Sequence, residues 1–531
     1  MRVPDLAGGE GSVLRRDTAV VTVCTLVSRL TGFGRVLATV AVLGGGLLGD
    51  VYQTANLIPN LLFELVAGGV LQAVLVPSYV AARRSGGDRE MGAAVRATVG
   101  VILAGLAMVA MLGMALSPVL ARLMVASEPS GAVAGEKLDV MVPMVLVFVP
   151  QLLFYGIATA TSAALNSRGR FVAAALAPAV NNVIVIVACL LFRMSREGAV
   201  ADLNLTPFQF TLIAGGTTLG VIAYGLTPAI ALRRAGLPWR PTWHPGHPAV
   251  SLMRQNFGWA TLSIVGTLVP TATALALGNG APGGVAVFVY AFAFYVLPHA
   301  LVAVPVATTL APRVADRWIA RDLDSTRRAV DDAMRLAVPL LVLGGTGMVG
   351  LAWPVARVMA FGQTASQGLA PIAHTLAAFG PGLLGYGVAF VMTRVLFALG
   401  DVKRASMLMI AGAVVGVTSM AFASAMMAPT ERAAALAIGY GSSQAVAAVL
   451  LVRRVHQLTG AMSSRITTRL LLETLVAALV AVAVMVAVVS WSGTGRRDSL
   501  QALLVGGSLG VLAFGLVSAL LSRRSLFGLG R

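Results

Sequence analysis

Charge is scarce in this sequence. Asp, Glu, Lys and Arg together make up 11% of its 531 residues, while 57% are hydrophobic, against about 25% and 45–50% in ordinary soluble domains. A soluble globular protein is excluded, and so is a disordered chain, which would be rich in charge and poor in apolar residues. Cysteine is nearly missing. Cys24 and Cys189 both lie in apolar stretches, so neither a disulfide framework nor a cysteine-rich metal site is indicated. Lysine is rarer still for a basic chain, with Lys137 and Lys403 the two lysines among 39 basic residues. The five histidines, at 244, 247, 299, 374 and 456, do not cluster at metal-ligand spacing. No His-Glu-x-x-His occurs, and no Gly-x-x-x-x-Gly-Lys-Ser/Thr loop, so metalloprotease chemistry and direct nucleotide drive are not indicated. Long acid-rich loops of the kind a membrane glycosyltransferase would present are also missing. The expectation is therefore a protein that is not an enzyme and uses no cofactor or metal.

Apolar runs dominate instead. At roughly 20 residues per crossing, the runs between charge and turn clusters predict an all-α polytopic membrane protein with 14 spans. These are 18–46, 52–80, 93–120, 139–165, 171–192, 209–232, 255–278, 285–311, 336–359, 370–398, 404–427, 433–452, 470–491 and 500–521. No small-residue cleavage site follows the first run, so it reads as a retained span and not a signal peptide. The net charge of +18 would point a soluble chain toward nucleic acid. Here the basic residues divide 28 to 8 between alternate connections and ends, with Arg29, Arg35 and Arg394 inside spans. That asymmetry predicts both termini in the cytoplasm and no nucleic-acid partner.

The fourth and tenth spans share a signature. Tyr155-Gly156-Ile157-Ala158 is followed by Gly169, and Tyr386-Gly387-Val388-Ala389 by Gly400, both at an offset of 231. Pro77 and Pro312, each followed by a basic exit, repeat at an offset of 235. Two parallel six-helix lobes fit both matches, an arrangement found in transporters, where the substrate site lies between the lobes. The expected organisation is a cytoplasmic tail 1–17, an N-lobe 18–235 (spans 1–6), a linker 236–254, and a C-lobe 255–456 (spans 7–12). Two extra spans and a cytoplasmic tail then occupy 457–531.

Ionisable side chains within spans are costly and face a bundle interior or a water-filled cavity. Arg29 and Arg35, six residues apart in Ser28-Arg29-Leu30-Thr31-Gly32-Phe33-Gly34-Arg35, lie within roughly 120° of each other on a helix. Gly32 and Gly34 would let that helix bend. Such a guanidinium pair can clamp a phosphate or pyrophosphate, or can be held structurally by Glu64 or Asp50. Asn60 and Glu64 share a face of the second span, with Glu64 available to pair with an arginine as a gate or as simple neutralisation. Asp50 stands at the outer mouth, either as a surface acid or as an external gate. Arg394 lies near the cytoplasmic end of the tenth span and His299 follows Pro298 in the eighth, the histidine reading as buried and satisfied or as a proton-coupling group.

These residues resemble a known family. Ser28 through Arg35, Gly49-Asp50, Pro59-Asn60-Leu61-Leu62, Gly69 and Val76-Pro77 are similar to the amino-terminal signature of the MurJ (MviN) lipid II flippases. Arg394-Val395-Leu396-Phe397-Ala398-Leu399-Gly400-Asp401 resembles their tenth-span motif, and the likeness covers essentially the whole chain. It implies the multidrug/oligosaccharidyl-lipid/polysaccharide exporter fold in a bacterial cytoplasmic membrane. It also implies alternating-access transfer of lipid II to the outer leaflet for cell-wall synthesis, with membrane lipids and cell-wall synthesis and division proteins as partners. Ser28, Arg29, Arg35 and Asn60 would then bind substrate, while Asp50, Glu64 and Arg394 would gate or couple. The chain departs from the family where it has Phe63-Glu64 in place of a frequent arginine pair, Gly68-Gly69 in place of a frequent Glu-Gly, and Tyr290-Ala291-Phe292-Ala293 in place of an Asp-Arg. Its cavity is expected to hold fewer cations. Export of another polyprenyl-pyrophosphate glycan, or a transport-inactive scaffold for cell-wall enzymes, are the alternatives.

Overall fold

The computed structural model describes residues 7–67, 70–196, 202–237, 239–255, 257–359 and 369–526. Gly68, Gly69, the first six residues and Arg531 lie outside the described residues. Every regular element among the described residues is helical, as long apolar runs require when backbone groups must be satisfied within each segment. In chain order the first are α1 (Ala7–Leu43), α2 (Leu47–Ala67), α3 (Val70–Ala115), α4 (Ser117–Val125), α5 (Gly131–Phe148), α6 (Gln151–Asn166) and α7 (Val172–Met194). There follow α8 (Pro207–Phe210), α9 (Gly216–Arg234), α10 (Pro248–Gln255), α11 (Phe257–Gly278), α12 (Gly284–Ile319), α13 (Leu323–Gly350) and α14 (Ala352–Met359). The last are α15 (Ala370–Ala398), α16 (Val402–Met426), α17 (Arg432–Thr459), α18 (Ser464–Trp491) and α19 (Arg496–Leu526).

Twelve helices among the described residues are long and apolar enough to cross a membrane, two fewer than the fourteen expected. The expected second span is divided between α2, which carries Asp50, Gln53, Asn56, Asn60 and Glu64 in 21 residues, and the start of α3. The expected seventh contributes an apolar stretch of 15 residues, Ile264–Gly278. Helix α3 runs on from the second into the third span and departs from helical geometry at Gly86 and Gly87, the latter at φ +67°.

The helices fall into two units, each discontinuous in sequence. The first comprises residues 1–42, 55–121 and 138–261, in which α6 packs on α3 and α9, and α7 on α9. The second comprises 43–54, 122–137 and 262–531. There α15 is central, packed against α12, α13 and α17, with α16 on α17 and the pair α18–α19 laid on α13. Glycines let these helices approach closely. A Cβ at Gly345 of α13 would come 2.4 Å from the Gly380 carbonyl oxygen of α15, and one at Gly382 would come 2.6 Å from the Gly441 Cα of α17. Helices α18 and α19 turn Leu472, Leu479, Leu504 and Leu512 outward, which suits hydrocarbon.

The sequence repeat has a structural counterpart inside each unit. Gly156 of α6 packs against Leu106 of α3, where a Cβ would meet Cδ1 at 2.5 Å, and Gly387 of α15 packs against Leu341 of α13 at 2.4 Å. Gly169 and Gly400 both end their helices with positive φ, +72° and +81°, a conformation glycine adopts without a steric penalty. The closing hydrogen bonds match as well: Arg170 N–H donates to the Leu165 carbonyl at 3.0 Å, and Asp401 N–H to the Leu396 carbonyl at 2.9 Å. These are the six-to-one bonds of a glycine-terminated helix.

Candidate transport site

Asp50 is fully buried. Its carboxylate accepts hydrogen bonds from three backbone N–H groups, Gly283 at 2.7 Å, Val285 at 3.0 Å and Ala286 at 2.8 Å. Those N–H groups open α12, so the first turn of α2 caps a helix that begins 234 residues further along the chain. Free N–H groups at a helix start attract an anion, and Gly283, at φ +81°, turns the chain so that they converge. Asp50 is therefore neither a surface acid nor an arginine's partner. Around it, the Tyr290 hydroxyl donates to the Gly44 carbonyl at 3.0 Å and Asn279 Nδ2 to Thr54 Oγ1 at 3.0 Å.

A second buried cluster joins the same region. Lys137, also fully buried, donates to Glu128 Oε2 at 2.8 Å and to the Asn279 carbonyl at 2.7 Å, while Ser127 donates to the Ala276 carbonyl. The segments 43–54 and 122–137 thus pack with the second half of the chain through Asp50 of α2 at the start of α12 and Lys137 of α5 at the Asn279 carbonyl. Lys137, Glu128 and Asn279 were missed as functional candidates from the sequence. The available signal was that one of just two lysines falls in a connection that also carries Glu128, Glu136 and Asp139.

The α1 residues are held differently. The helix runs unbroken through Gly32 and Gly34, the glycines that would let it bend. Both glycines instead admit α7: a Cβ at Gly32 would lie 3.3 Å from Asn182 Nδ2, and one at Gly34 3.5 Å from Ile186 Cδ1. Asn182 donates to the Ser28 carbonyl and to Thr31 Oγ1, each at 3.4 Å, which fixes the register of α1 on α7. Arg29 is exposed and Arg35 half-buried. Among the described residues neither makes an ion pair, with Glu64 and Asp50 or with any other acid. Asn60 Nδ2 donates to the Asn56 carbonyl one turn back at 3.0 Å, and Glu64 is exposed. The structure brings Ser28 to Asn182 but forms no hydrogen bond or ion pair between any two of Arg29, Arg35, Asn60 and Glu64. Arg394 is exposed on α15, its guanidinium 5.4 Å from the centre of the Phe390 ring, a cation–π contact one turn away.

The two repeated tyrosines sit in aromatic groups of their own units. Tyr155 lies 5.4 Å from Phe63 and 6.0 Å from Tyr224 between ring centres. Tyr386 stacks on His299 at 4.1 Å and on Tyr295 at 5.2 Å. His299 is buried, with Nδ1 making no hydrogen bond among the described residues, so it is packed by ring contacts and not satisfied as a polar group. Among the described residues no group of three His, Cys, Asp or Glu side chains is placed to hold a metal ion.

Long apolar helices, matched contacts within two units, and arginines on a spanning helix that make no ion pair among the described residues define a multi-pass membrane transporter. The family model described as Lipid II flippase MurJ matches residues 39–506, and the chain belongs to that family. Its sequence is 23% identical over 395 residues to the probable lipid II flippase MurJ of Rickettsia prowazekii, covering 73% of this chain and 74% of the relative. Its fold is similar to a MurJ structure in the inward closed conformation, with a TM-score of 0.74 at 16% identity over 96% of this chain and all of that one. It is also similar to an inward-facing multidrug resistance MATE transporter of the MOP superfamily, with a TM-score of 0.64 at 15% identity over 83% of this chain and 99% of the other.

Proposed function

We propose that this protein carries lipid II, the polyprenyl-pyrophosphate-linked precursor of peptidoglycan, across the bacterial cytoplasmic membrane by alternating access, with both termini on the cytoplasmic side. The observation that carries the reading is the pair Arg29 and Arg35, two guanidiniums on one apolar helix that make no ion pair among the described residues. They are about 9 Å apart along the axis and within roughly 120° around it. A diphosphate supplies the planar, multiply charged acceptor that two guanidinium forks match. Ser28 and Asn60 add polar contacts to the head group. Residues 18–235 and 255–456 act as the two lobes of the carrier, and Asp50 serves as the outer gate, closed when it caps α12 and open when it lets go. Glu64 and Arg394 adjust the charge along the route.

The test is rescue of cells depleted of their own flippase, reading how much lipid II reaches the outer leaflet. Wild type restores it; Arg29→Ala and Arg35→Ala at matched expression do not. Each lost charge-assisted contact, at about 1.5–3 kcal/mol, weakens head-group binding roughly ten- to a hundredfold. Rescue by all three proteins would take the arginines out of the mechanism and favour a scaffold that recruits cell-wall enzymes. Failure of correctly inserted wild type would point to a different polyprenyl-pyrophosphate glycan.

A further inference from the structure

Helices α12 and α13 are both of spanning length and are joined by three residues, 320–322. The expected spans end at 311 and restart at 336, so residues near 306–313 and 332–336 lie at a membrane–water boundary and the turn stands beyond it. A cavity of about 560 Å³ opens there. Val306, Leu310 and Leu336 supply the apolar part of its lining and Arg313, Arg317 and Arg328 the basic part, with Asp332 as the acid among them. Two of the arginines are partly committed to the turn. Arg317 Nη1 donates to the Ser325 carbonyl at 2.8 Å, and Arg328 Nη2 to Ser325 Oγ at 3.2 Å. Arg313 is exposed and makes no ion pair or hydrogen bond among the described residues, and Asp332 makes no ion pair there. Asp322 in the turn also interacts electrostatically with Arg317 and Arg328, so three guanidiniums meet two carboxylates and the pocket keeps a net positive charge.

Two features select the form in which the balancing negative charge arrives. The apolar part of the lining continues through Leu336 onto an apolar surface, where Leu301 and Leu340 are also exposed. The turn itself carries exposed Ile319 and Leu323 beside Trp318, so apolar side chains extend past the ends of the spans. A soluble anion would satisfy the arginines and leave the apolar lining wet. We propose that this pocket holds the phosphate of an anionic phospholipid, its acyl chains lying along Val306, Leu310 and Leu336. Basic pockets between spans are a known means of head-group recognition.

The full-length protein in neutral detergent, given spin-labelled phosphatidylglycerol or spin-labelled phosphatidylcholine, tests this through the immobilised lipid fraction. Wild type retains the anionic lipid in preference. Arg313→Gln/Arg328→Gln weakens that retention roughly five- to twenty-fold, the weight that one to two basic residues carry at an anionic surface, and leaves phosphatidylcholine retention unchanged. Asp332→Asn, which breaks no ion pair among the described residues, tightens it and keeps the test open if the double variant fails to fold. Arg453→Gln, an exposed arginine on α17, leaves it unchanged. Equal retention of both lipids by wild type, preference surviving in the double variant, or an equal loss in Arg453→Gln would overturn the proposal. So would release of phosphatidylglycerol by millimolar inorganic phosphate or pyrophosphate, which would assign the pocket to a soluble anion.

Discussion

Replacing Asp50 by Asn tests whether the cap on α12 is a gate or a permanent staple. The carboxylate accepts three N–H bonds of 2.7–3.0 Å in a fully buried site. Charge-assisted bonds are worth about 1.5–3 kcal/mol each, but three on one group are not additive, and cap deletions cost about 0.5–2 kcal/mol. Asn keeps one acceptor oxygen and turns an NH₂ toward the remaining donors, so the loss is set at about 3 kcal/mol, between those bounds and near the lower end for breaking a buried charged contact. If the contact exists in the closed arrangement alone, all of that falls on the closed–open balance, a factor of about 150 at 1.4 kcal/mol per tenfold. A protein open about 1% of the time would become open about 60% of the time. The reporter is Ala281→Cys, nearly buried in the turn before α12, in a background where Cys24 and Cys189 are Ser. Its labelling by a membrane-impermeant maleimide in intact cells should accelerate strongly in Asp50→Asn. If thermal stability falls while labelling does not change, Asp50 is a staple in every state and the gate reasoning is wrong.

Lys137→Met leaves Glu128 buried without its partner and should cost about 3–5 kcal/mol, read as a lowered Tm in detergent. Lys137→Met/Glu128→Gln should recover much of it, and a double variant no better than the single would refute the pairing. Gly345→Ala drives a methyl group to 2.4 Å from the Gly380 carbonyl and should cost at least 1–3 kcal/mol, with folded yield as the measure. Asp322 accepts from Ser325 N–H at 2.9 Å at the start of α13, and bonds from the Ser325 backbone and hydroxyl hold its carboxyl below the usual carboxylate range. Its stabilisation is therefore complete above the ordinary carboxylate pKa of about 4 and is lost as pH falls through the lowered folded value. Wild type and Asp322→Asn should differ in Tm at neutral pH and converge on acidification, and a constant difference would refute the assignment.

What could be read from the sequence was local or periodic. Apolar runs gave helices where helices are found, because a hydrocarbon environment leaves few alternatives. The 231-residue repeat predicted related local structure, and Gly169 and Gly400 do close their helices with the same bond. The span count was less legible. Helix α2 carries Asp50, Gln53, Thr54, Asn56, Asn60 and Glu64 in 21 residues, and α3 continues from one span into the next, so among the described residues that region does not show two separate apolar crossings. Arg29 and Arg35 were legible as unusual because charge within a span is expensive. The roles of Asp50 and Lys137 were not, since their partners at 279–286 lie more than 140 residues away. Nothing in the residues near Asp50 names Gly283 as its donor, and nothing near Ser127 or Lys137 names the Ala276 and Asn279 carbonyls to which they donate.

That separation also bears on how the chain is made. Asp50 and its three donors emerge from the ribosome roughly 10–50 s apart at ordinary synthesis rates, and Lys137 waits through 142 residues for the Asn279 carbonyl. During that interval the segments 43–54 and 122–137 are already synthesised while the surface they belong to does not exist. A buried acid and a buried lysine must therefore be tolerated by lipid, water or a chaperone until α12 arrives. A chain stopped after α9 would have no way to finish either cluster, so the first six spans are not a separable half but an intermediate whose segments 43–54 and 122–137 are settled by what is translated next.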